Sequence, residues 1–529
     1  MKYINLGHGP ASTDYHADLL IVGAGIAGLV IADRLRGAGY KIDILESGGL
    51  AYEQESQALN DAEMDGLHHS GTTDGRFRVF GGSSTRWGAQ LLTMEAIDFQ
   101  AKSYLHHNGW PLSYSELNSY LHECEDLLGV DHLSYDSDFQ NQRLMPLLPL
   151  KDKSLQYRFS KRAAFRYRNM ARTLGQRCRQ APNIRIFLHA TVTNIVLHPS
   201  RSIVKYLEVH TAKGSCHRFH GKEVVIAAGG IETTRLLLAS RGVHSRGIGN
   251  QSDQLGRWFH DHLVVNAAVL HPINRYQFLK KFAPWHISNT CHYVKFATTS
   301  HWQMHNSCLN MSGHLSFQYA NNSLFDWLSR QLISYKTLQS TIKFADFPYS
   351  SRLPAELFDL FHHAWMRFYR KRLWCPSYAD IVLRIEGEQN PTPDNRITLS
   401  NSLDRLGMPK AVIKWQLSND ERRAFASYKT LFATQWEAWN IGDVTWLVDF
   451  ESISDLERWA TDSYHIMGGT RMSNRPSEGV VDPRLNVFGV ANLSVASLSV
   501  FPTGGVANPT LTLMMLALRL ADRLNVSLR

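Results

Sequence analysis

"ADLLIVGAGIAGLVIADRLRGAGYKIDILESGG", Ala17 to Gly49, decides the fold. The apolar run Leu19 to Val22 reads as a strand buried on both faces, the kind found in parallel sheets. Gly23, Gly25 and Gly28 follow in G-x-G-x-x-G spacing. The next residues carry a helical period that stops at glycine, and Lys41 to Glu46 reads as a second strand ending on an acid. Strand, glycines, helix, strand and acid in that order make a βαβ unit for a dinucleotide. The first glycine permits a tight turn, the second lets the backbone approach a pyrophosphate, and the third lets the helix pack close to the strand. The helix N-terminus offers partial positive charge to the phosphates. Glu46 is expected to accept hydrogen bonds from ribose hydroxyls, which suits FAD or NAD.

Outward from this unit the chain has 529 residues, enough for two or three ordinary domains. A composition of 44% hydrophobic and 19% charged residues is that of a globular protein able to bury a large core. The formal net charge is +9, but the basic residues are scattered and no nucleic-acid signature is present, so no nucleic-acid partner is expected. Six dispersed cysteines without a CxxC pair argue against a zinc site or a disulfide framework and fit a reducing compartment. With no secretory signal or bilayer-length apolar run read in the sequence, a cytoplasmic location is expected. The adjacent pairs His68–His69, His106–His107 and His362–His363 lack supporting ligands, and no metal is expected.

"VFGGSSTRWGAQ", residues 79–90, is a second loop rich in glycine and hydroxyl groups. "NIRIFLHATVTNIV" and "KEVVIAAGGIETTRLLLAS" are strand-like, the latter ending in two glycines and a helix, so the chain returns to the parallel sheet after a long excursion. Residues 263–454 differ in texture, with aromatic residues and strand-like pieces such as "ADIVLRIEGEQ" and "NRITLSNS". The fold class expected is α/β: a Rossmann-like nucleotide domain with a mixed α+β substrate domain on a largely antiparallel sheet. "LFDLFHHAWMRFYRKRLW", residues 357–374, is aromatic and basic. It reads as a helix covering the substrate domain or, alternatively, as an amphipathic helix touching a membrane or a partner.

The ordered motifs "GGSSTRWG", "AAGGIETTRLLLAS", "LGRWFHDH", "EQNPTPDNRITLS" and "HIMGGTRM", with the segment through "FPTGGVANPTLTLMMLALRLAD", resemble the glucose–methanol–choline (GMC) flavoprotein oxidoreductases. The likeness covers about half the chain and leans to the pyranose-oxidase and sugar-dehydrogenase side. It implies a glucose-oxidase-like fold and FAD. The FAD-binding domain would be built from residues 1–100, 181–262 and 455–529, with 101–180 a connecting helical or lid segment and 263–454 the substrate domain. It implies oxidation of an alcohol group of a sugar, glycoside, cyclitol or similar metabolite to a ketone or aldehyde, by proton abstraction and hydride transfer to flavin N5.

His465 would be the base, and Asn508 would clamp the substrate oxygen; Asn508 followed by Pro509 also reads as a helix N-cap and first-turn pair. Histidine suits the base because its ordinary pKa leaves it mostly neutral at pH 7. The cofactor would be held by Gly23, Gly25, Gly28, Glu46, Gly82, Ser83, Thr85, Trp87, Gly88, Val192, Gly229, Glu232, Pro509 and Thr510. His262 is taken as structural or flavin-supporting. Pyranose oxidases have a flavin-linked histidine where this chain has Arg86, so FAD is expected to dissociate. The electron acceptor would be oxygen, a quinone or a protein. Two alternatives are a flavoprotein subunit feeding a membrane quinone or cytochrome, and a non-redox lyase on the same scaffold.

Overall fold

Leu19 to Val22 end a strand, Asp14–Val22, at the centre of an eight-stranded sheet. The structure, a computed structural model, describes residues 3–8, 12–105, 108–143, 147–318, 324, 327–328, 331 and 353–529 except 374 and 377. The His106–His107 pair lies outside the described residues. Tyr3–Asn5, Ile184–Leu188, Ile42–Leu45, Asp14–Val22 and Cys216–Ile226 run parallel in that order, and Leu493–Val495 adds parallel to the last. An antiparallel extension, Val204–His210 and Thr191–Leu197, completes the sheet. Ile42, Asp43, Ile44 and Leu45 are all buried, as a strand covered on both faces requires. The cover includes the helix Ile26–Arg34, against which the final helix Thr510–Ser527 packs.

The second layer is a nine-stranded sheet in which every pairing is antiparallel. Its central run is Gly442–Trp446, His262–Pro272, Asp380–Glu388, Met311–Gln318, Thr290–Thr298, Leu155–Ala163 and Gln90–Leu91. Three strands lie outside the expected substrate segment. Leu155–Ala163 falls within 101–180, expected to be helical or lid-like, and Gln90–Leu91 falls in the first FAD-binding segment. Both are added to the substrate sheet by pairing that is remote in sequence. Thr461–Asp462 also joins this sheet, and Ala62–Gly66 pairs with Pro409–Trp415 in a small third sheet. The antiparallel sheet thus draws its strands from segments far apart in the chain.

One face of the antiparallel sheet is apolar: Ile381, Leu383 and Ile385 are buried among Phe425, Tyr428 and Phe432 of the helix Asn419–Trp439. Ser418 caps that helix in a reciprocal box with Glu421. Alternate residues on the same strands are polar, with Arg384 opposite His314 and Gln90 opposite Arg162. Arg162, Arg384 and Glu386 of this face reach a cavity that is also lined by Gly23 and Gly25 of the nucleotide sheet.

Candidate active site

His465 owes its position to a bend. Tyr464, just before it, has φ of 62°, a left-handed conformation that a bulky residue rarely adopts. The turn directs the His465 backbone N–H onto Asp261, at 3.0 and 2.9 Å from its two carboxylate oxygens. Asp261 also accepts from the Ser463 hydroxyl at 2.8 Å and from the His262 N–H at 2.6 Å, and His69 Nε2 lies 3.2 Å away. Burial alone would raise the Asp261 carboxyl, but His69 and its other neighbours bring it down to about 2, so it stays ionised. Gly468 and Gly469 answer a different need: a Cβ on Gly468 would sit 1.8 Å from the Trp258 carbonyl oxygen. These glycines seat the His465 segment on its neighbouring backbone.

The direction of the protons follows from the partners. Because the Ser463 hydroxyl donates to Asp261, its oxygen is left to accept from His465 Nδ1 at 2.8 Å. His465 Nδ1 also lies 2.9 Å from His262 Nδ1, while His262 Nε2 faces the Gly504 carbonyl at 3.4 Å. This network places hydrogens on His465 Nδ1 and His262 Nε2. His465 Nε2 is left with a lone pair, has no protein partner among the described residues, and belongs to a residue lining the cavity. Burial, reinforced by His262, lowers the His465 pKa to about 4 against the opposing pull of Asp261 and Glu386, so the ring is neutral at pH 7.

Asn508 lines the same cavity. The helix begins at Thr510 with Pro509 as its capping residue and no side-chain cap, so Asn508 does not serve as the cap. Its Oδ1 is buried without a hydrogen-bond partner. An orphaned polar atom at a cavity wall is costly unless something bound there satisfies it.

The cavity of about 790 Å³ runs from this pair to the nucleotide sheet. Gly25 and Gly229 line it, and a Cβ on either would meet no protein atom within 4 Å. Gly28 does not line it; its Cβ would stand 2.1 Å from the Gly23 carbonyl oxygen, which is the close helix–strand packing expected of the third glycine. Glu46 lines the cavity with one oxygen accepting from Ala24 N–H at 3.0 Å and the other from Gly48 N–H at 2.9 Å. Gly82, Ser83, Trp87, Gly88, Val192, Glu232 and Thr510 also line it. Thr85 and Pro509 do not: the Thr85 hydroxyl turns back onto the Gly82 carbonyl at 2.9 Å, and Pro509 is taken up in starting the helix.

Residues 18–260 match the family model for "FAD dependent oxidoreductase", and residues 391–517 match the model for "GMC oxidoreductase". The chain is a GMC oxidoreductase. Among characterised relatives of this GMC oxidoreductase, 2-methyl-1,2-propanediol dehydrogenase of Mycolicibacterium austroafricanum is 23% identical, over 96% of this chain and 94% of that one. The fructose dehydrogenase large subunit of Gluconobacter japonicus is 22% identical, over 96% and 97%. In fold, the chain is similar to pyridoxine 4-oxidase from Mesorbium loti, with a TM-score of 0.55 at 15% identity, covering 96% of this chain and 98% of the other.

The residues of this GMC oxidoreductase fit FAD. The wall at Gly25 and Gly229 is open to a bulky group, the N-terminus of Ile26–Arg34 has no side-chain cap, and Asn508 offers an unsatisfied amide. Several lining residues escaped the sequence reading. Glu232, expected at the cofactor, lines the cavity and is paired with Arg76 at 3.1 Å, Arg78 at 2.5 Å and Arg235 at 3.2 Å, which hold its carboxyl down at about 2 despite burial. Arg76 and Arg78 line the cavity; the local signal was their spacing in "GRFRVFGG", just ahead of the second glycine loop. Asp261 and His69 gave no usable signal, because Asp261 stands 204 positions from His465 and His69 reaches the site only through Asp261; Ser463, two residues before His465, is a local partner that went unread. His262, expected to be structural or flavin-supporting, touches His465 directly. Arg86 lines the cavity with its guanidinium over the rings of Phe77 and Tyr52, at 4.5 and 4.7 Å.

Proposed function

We propose that this enzyme oxidises a secondary or primary hydroxyl of a sugar, glycoside, cyclitol or similar metabolite to a ketone or aldehyde. The observation that carries the reading is the pairing, in one cavity, of a neutral His465 with a free Nε2 and an Asn508 amide that has an unpartnered oxygen. FAD, when bound, supplies the hydride acceptor. His465 Nε2 takes the hydroxyl proton, and Nδ1 stays anchored on Ser463 and His262, which fixes the ring's plane. Asn508 hydrogen-bonds the substrate oxygen and so orients the reacting carbon. Asp261 holds the His465 backbone and keeps Ser463 in its accepting orientation. Gly23, Gly25, Gly82, Gly229 and Glu46 are assigned to the cofactor, with Val192, Trp87, Gly88, Ser83 and Thr510 around it.

The test is anaerobic: bleaching of the flavin band while sugars, glycosides, polyols and simple alcohols are added in turn. Bleaching by a hydroxylated class is the expected result; a fully loaded protein that no alcohol bleaches would defeat the reading. Readmitting air then separates an oxidase, which recolours at once, from a dehydrogenase that needs a quinone or protein acceptor. With Arg86 where a flavin-linked histidine would stand, acid precipitation is expected to leave the yellow colour in the supernatant. A yellow pellet would show a covalent link.

A second feature favours an acceptor at a membrane surface. The helix Leu353–Trp365 and its continuation Met366–Arg370 expose Phe358 by 65%, Phe361 by 72%, Phe368 by 72% and Tyr369 by 74%, beside Arg367, Arg370 and Lys371. Such a patch exceeds what scattered surface apolar residues require, and its cations suit an anionic bilayer. Among the described residues no helix is long and apolar enough to cross a membrane. Co-sedimentation with phosphatidylserine-containing vesicles, abolished in Phe361→Ser/Phe368→Ser, is the expected outcome. Equal binding of wild type and variant would remove this reading.

A further inference from the structure

The polar face of the antiparallel sheet forms the substrate side of the cavity, and its charges do not balance. Arg162, Arg384 and Glu386 line the cavity together with His465. Glu386 is engaged by Lys295, and its second oxygen lies 3.6 Å from His314. Burial would raise the Glu386 carboxyl, but Lys295, with His314 and Arg384, holds it well below the usual range, so it is ionised. Burial and the neighbouring cations bring His314 down to about 4, so it adds no charge at neutral pH. Lys295 and Glu386 cancel. Two guanidiniums remain.

Neither guanidinium has an ion-pair partner among the described residues. Arg162 donates one hydrogen bond, from Nη1 to the Tyr293 hydroxyl at 3.1 Å, and its Nε is buried without a partner. Arg384 makes no hydrogen bond among the described residues, and its Nε is likewise buried and unsatisfied. Other cations of this sheet are matched: Lys161 by Glu125, Arg158 by Glu95 at 3.3 Å, and Lys102 by a carboxylate of the last strand residue, Glu388, at 2.9 Å. Two guanidiniums in a partly dehydrated wall whose carboxylate, Glu386, is already paired with Lys295 are costly, and an arginine fork is shaped to bind a carboxylate or phosphate in two places. A neutral hydroxyl would satisfy the N–H groups but leave the charge unopposed. Arg162 and Arg384 come from the antiparallel sheet, whereas the glycine cradle belongs to the parallel one.

We propose that the substrate of this enzyme carries an anionic group, a carboxylate or phosphate, held by Arg162 and Arg384 while its hydroxyl meets His465 and Asn508. The inference rests on the reading of the cavity as an alcohol-oxidising site. It narrows the hydroxylated metabolite to an acid, such as an aldonate, a uronide or a polyol phosphate. It also gives Arg162 and Arg384 the role of specificity residues, acting on binding rather than on the chemical step.

The experiment has a binding arm and a turnover arm, both on the FAD-loaded enzyme. In the first, inorganic phosphate and acetate are titrated against the visible flavin band. The expected result is a saturable perturbation by at least one of the two, weakened at least tenfold in Arg384→Gln and in Arg162→Gln, with FAD content unchanged; which anion binds tells phosphate from carboxylate. In the second, matched pairs are compared as flavin reductants: glucose with glucuronate, and glycerol with glycerol 3-phosphate. The acid of a reactive pair is expected to have the higher kcat/KM, with Arg384→Gln raising its KM at least tenfold, changing kcat little, and so narrowing or abolishing its advantage over the neutral partner. Anion titrations that are absent in the wild type, or identical in both variants, would overturn the proposal, as would a neutral member that outperforms its acid. If no compound of either kind reduces the flavin, the alcohol-oxidising reading fails, and the anion titration still decides whether the two arginines form an anion site.

Discussion

His465→Ala is expected to slow flavin reduction at least about 1,000-fold while FAD stays bound, because the variant removes the only proton acceptor assigned to the reaction. The nucleotide end of the cavity, at Gly25 and Gly229, is untouched by the change. Stopped-flow reduction under anaerobic conditions reads the rate, and the visible spectrum reads FAD content. A variant reduced at the wild-type rate would remove the base assignment. The pH profile carries a second, independent sign. With the ring's pKa lowered to about 4, His465 stays mostly neutral from pH 6.5 down to about pH 5, where an ordinary histidine would be mostly charged. The kcat/KM profile is therefore expected to stay flat on the acid side to near pH 5, and to fall only as pH approaches 4. An acid limb centred near 6.5 would show that the site does not depress the ring as its burial demands. The same shift acts on stability: below pH 6.5 the unfolded chain takes up a proton that the folded one refuses. The apoprotein should thus lose stability as pH falls from 6.5 through about 4.

Gly25→Val is expected to give a folded protein that cannot hold FAD. Gly25 has φ of −77°, a value open to any residue, and a Cβ there meets no protein atom within 4 Å. The branched side chain would project into the space assigned to the pyrophosphate. Affinity for FAD should fall at least about 100-fold, roughly 3 kcal/mol, while the melting temperature of the apoprotein stays close to wild type. Gly28→Ala makes the contrast. Its Cβ would lie 2.1 Å from a backbone oxygen, so the helix must move off the strand and the apoprotein itself should be destabilised, by about 1–3 kcal/mol. Thermal unfolding of the two apoproteins, with FAD titration by fluorescence quenching, separates the cases. Equal FAD affinity in Gly25→Val and wild type would show that the cofactor does not pass this glycine.

The βαβ unit was legible because its signals are local. A strand, a turn of glycines and a helix are specified within about thirty residues, and each glycine has a reason that can be stated from the backbone alone. The final helix was legible for the same reason: its apolar period needs no partner to be recognised. His465 was readable only through the family pattern of its block, since the chain holds 25 histidines and nothing local distinguishes one of them. Asn508 was half read. Its Asn-Pro pair looked like a helix cap, but the helix starts two residues later and the side chain is left without a partner.

What the sequence by itself determined is therefore the nucleotide fold and the flavin family; it also put forward His465 and Asn508, which line the same cavity. Tertiary structure decided the rest. It added Leu155–Ala163 to the antiparallel sheet, set Asp261 under the His465 backbone, engaged His465 Nδ1 while leaving Nε2 without a partner among the described residues, and brought Arg162 and Arg384 to the same cavity. The physical reason is range. Turn chemistry and helical period act between near neighbours and are written into short stretches. Charge balance and proton direction depend on groups such as Asp261 and His465, 204 positions apart, that meet only when the two sheets have closed around one cavity.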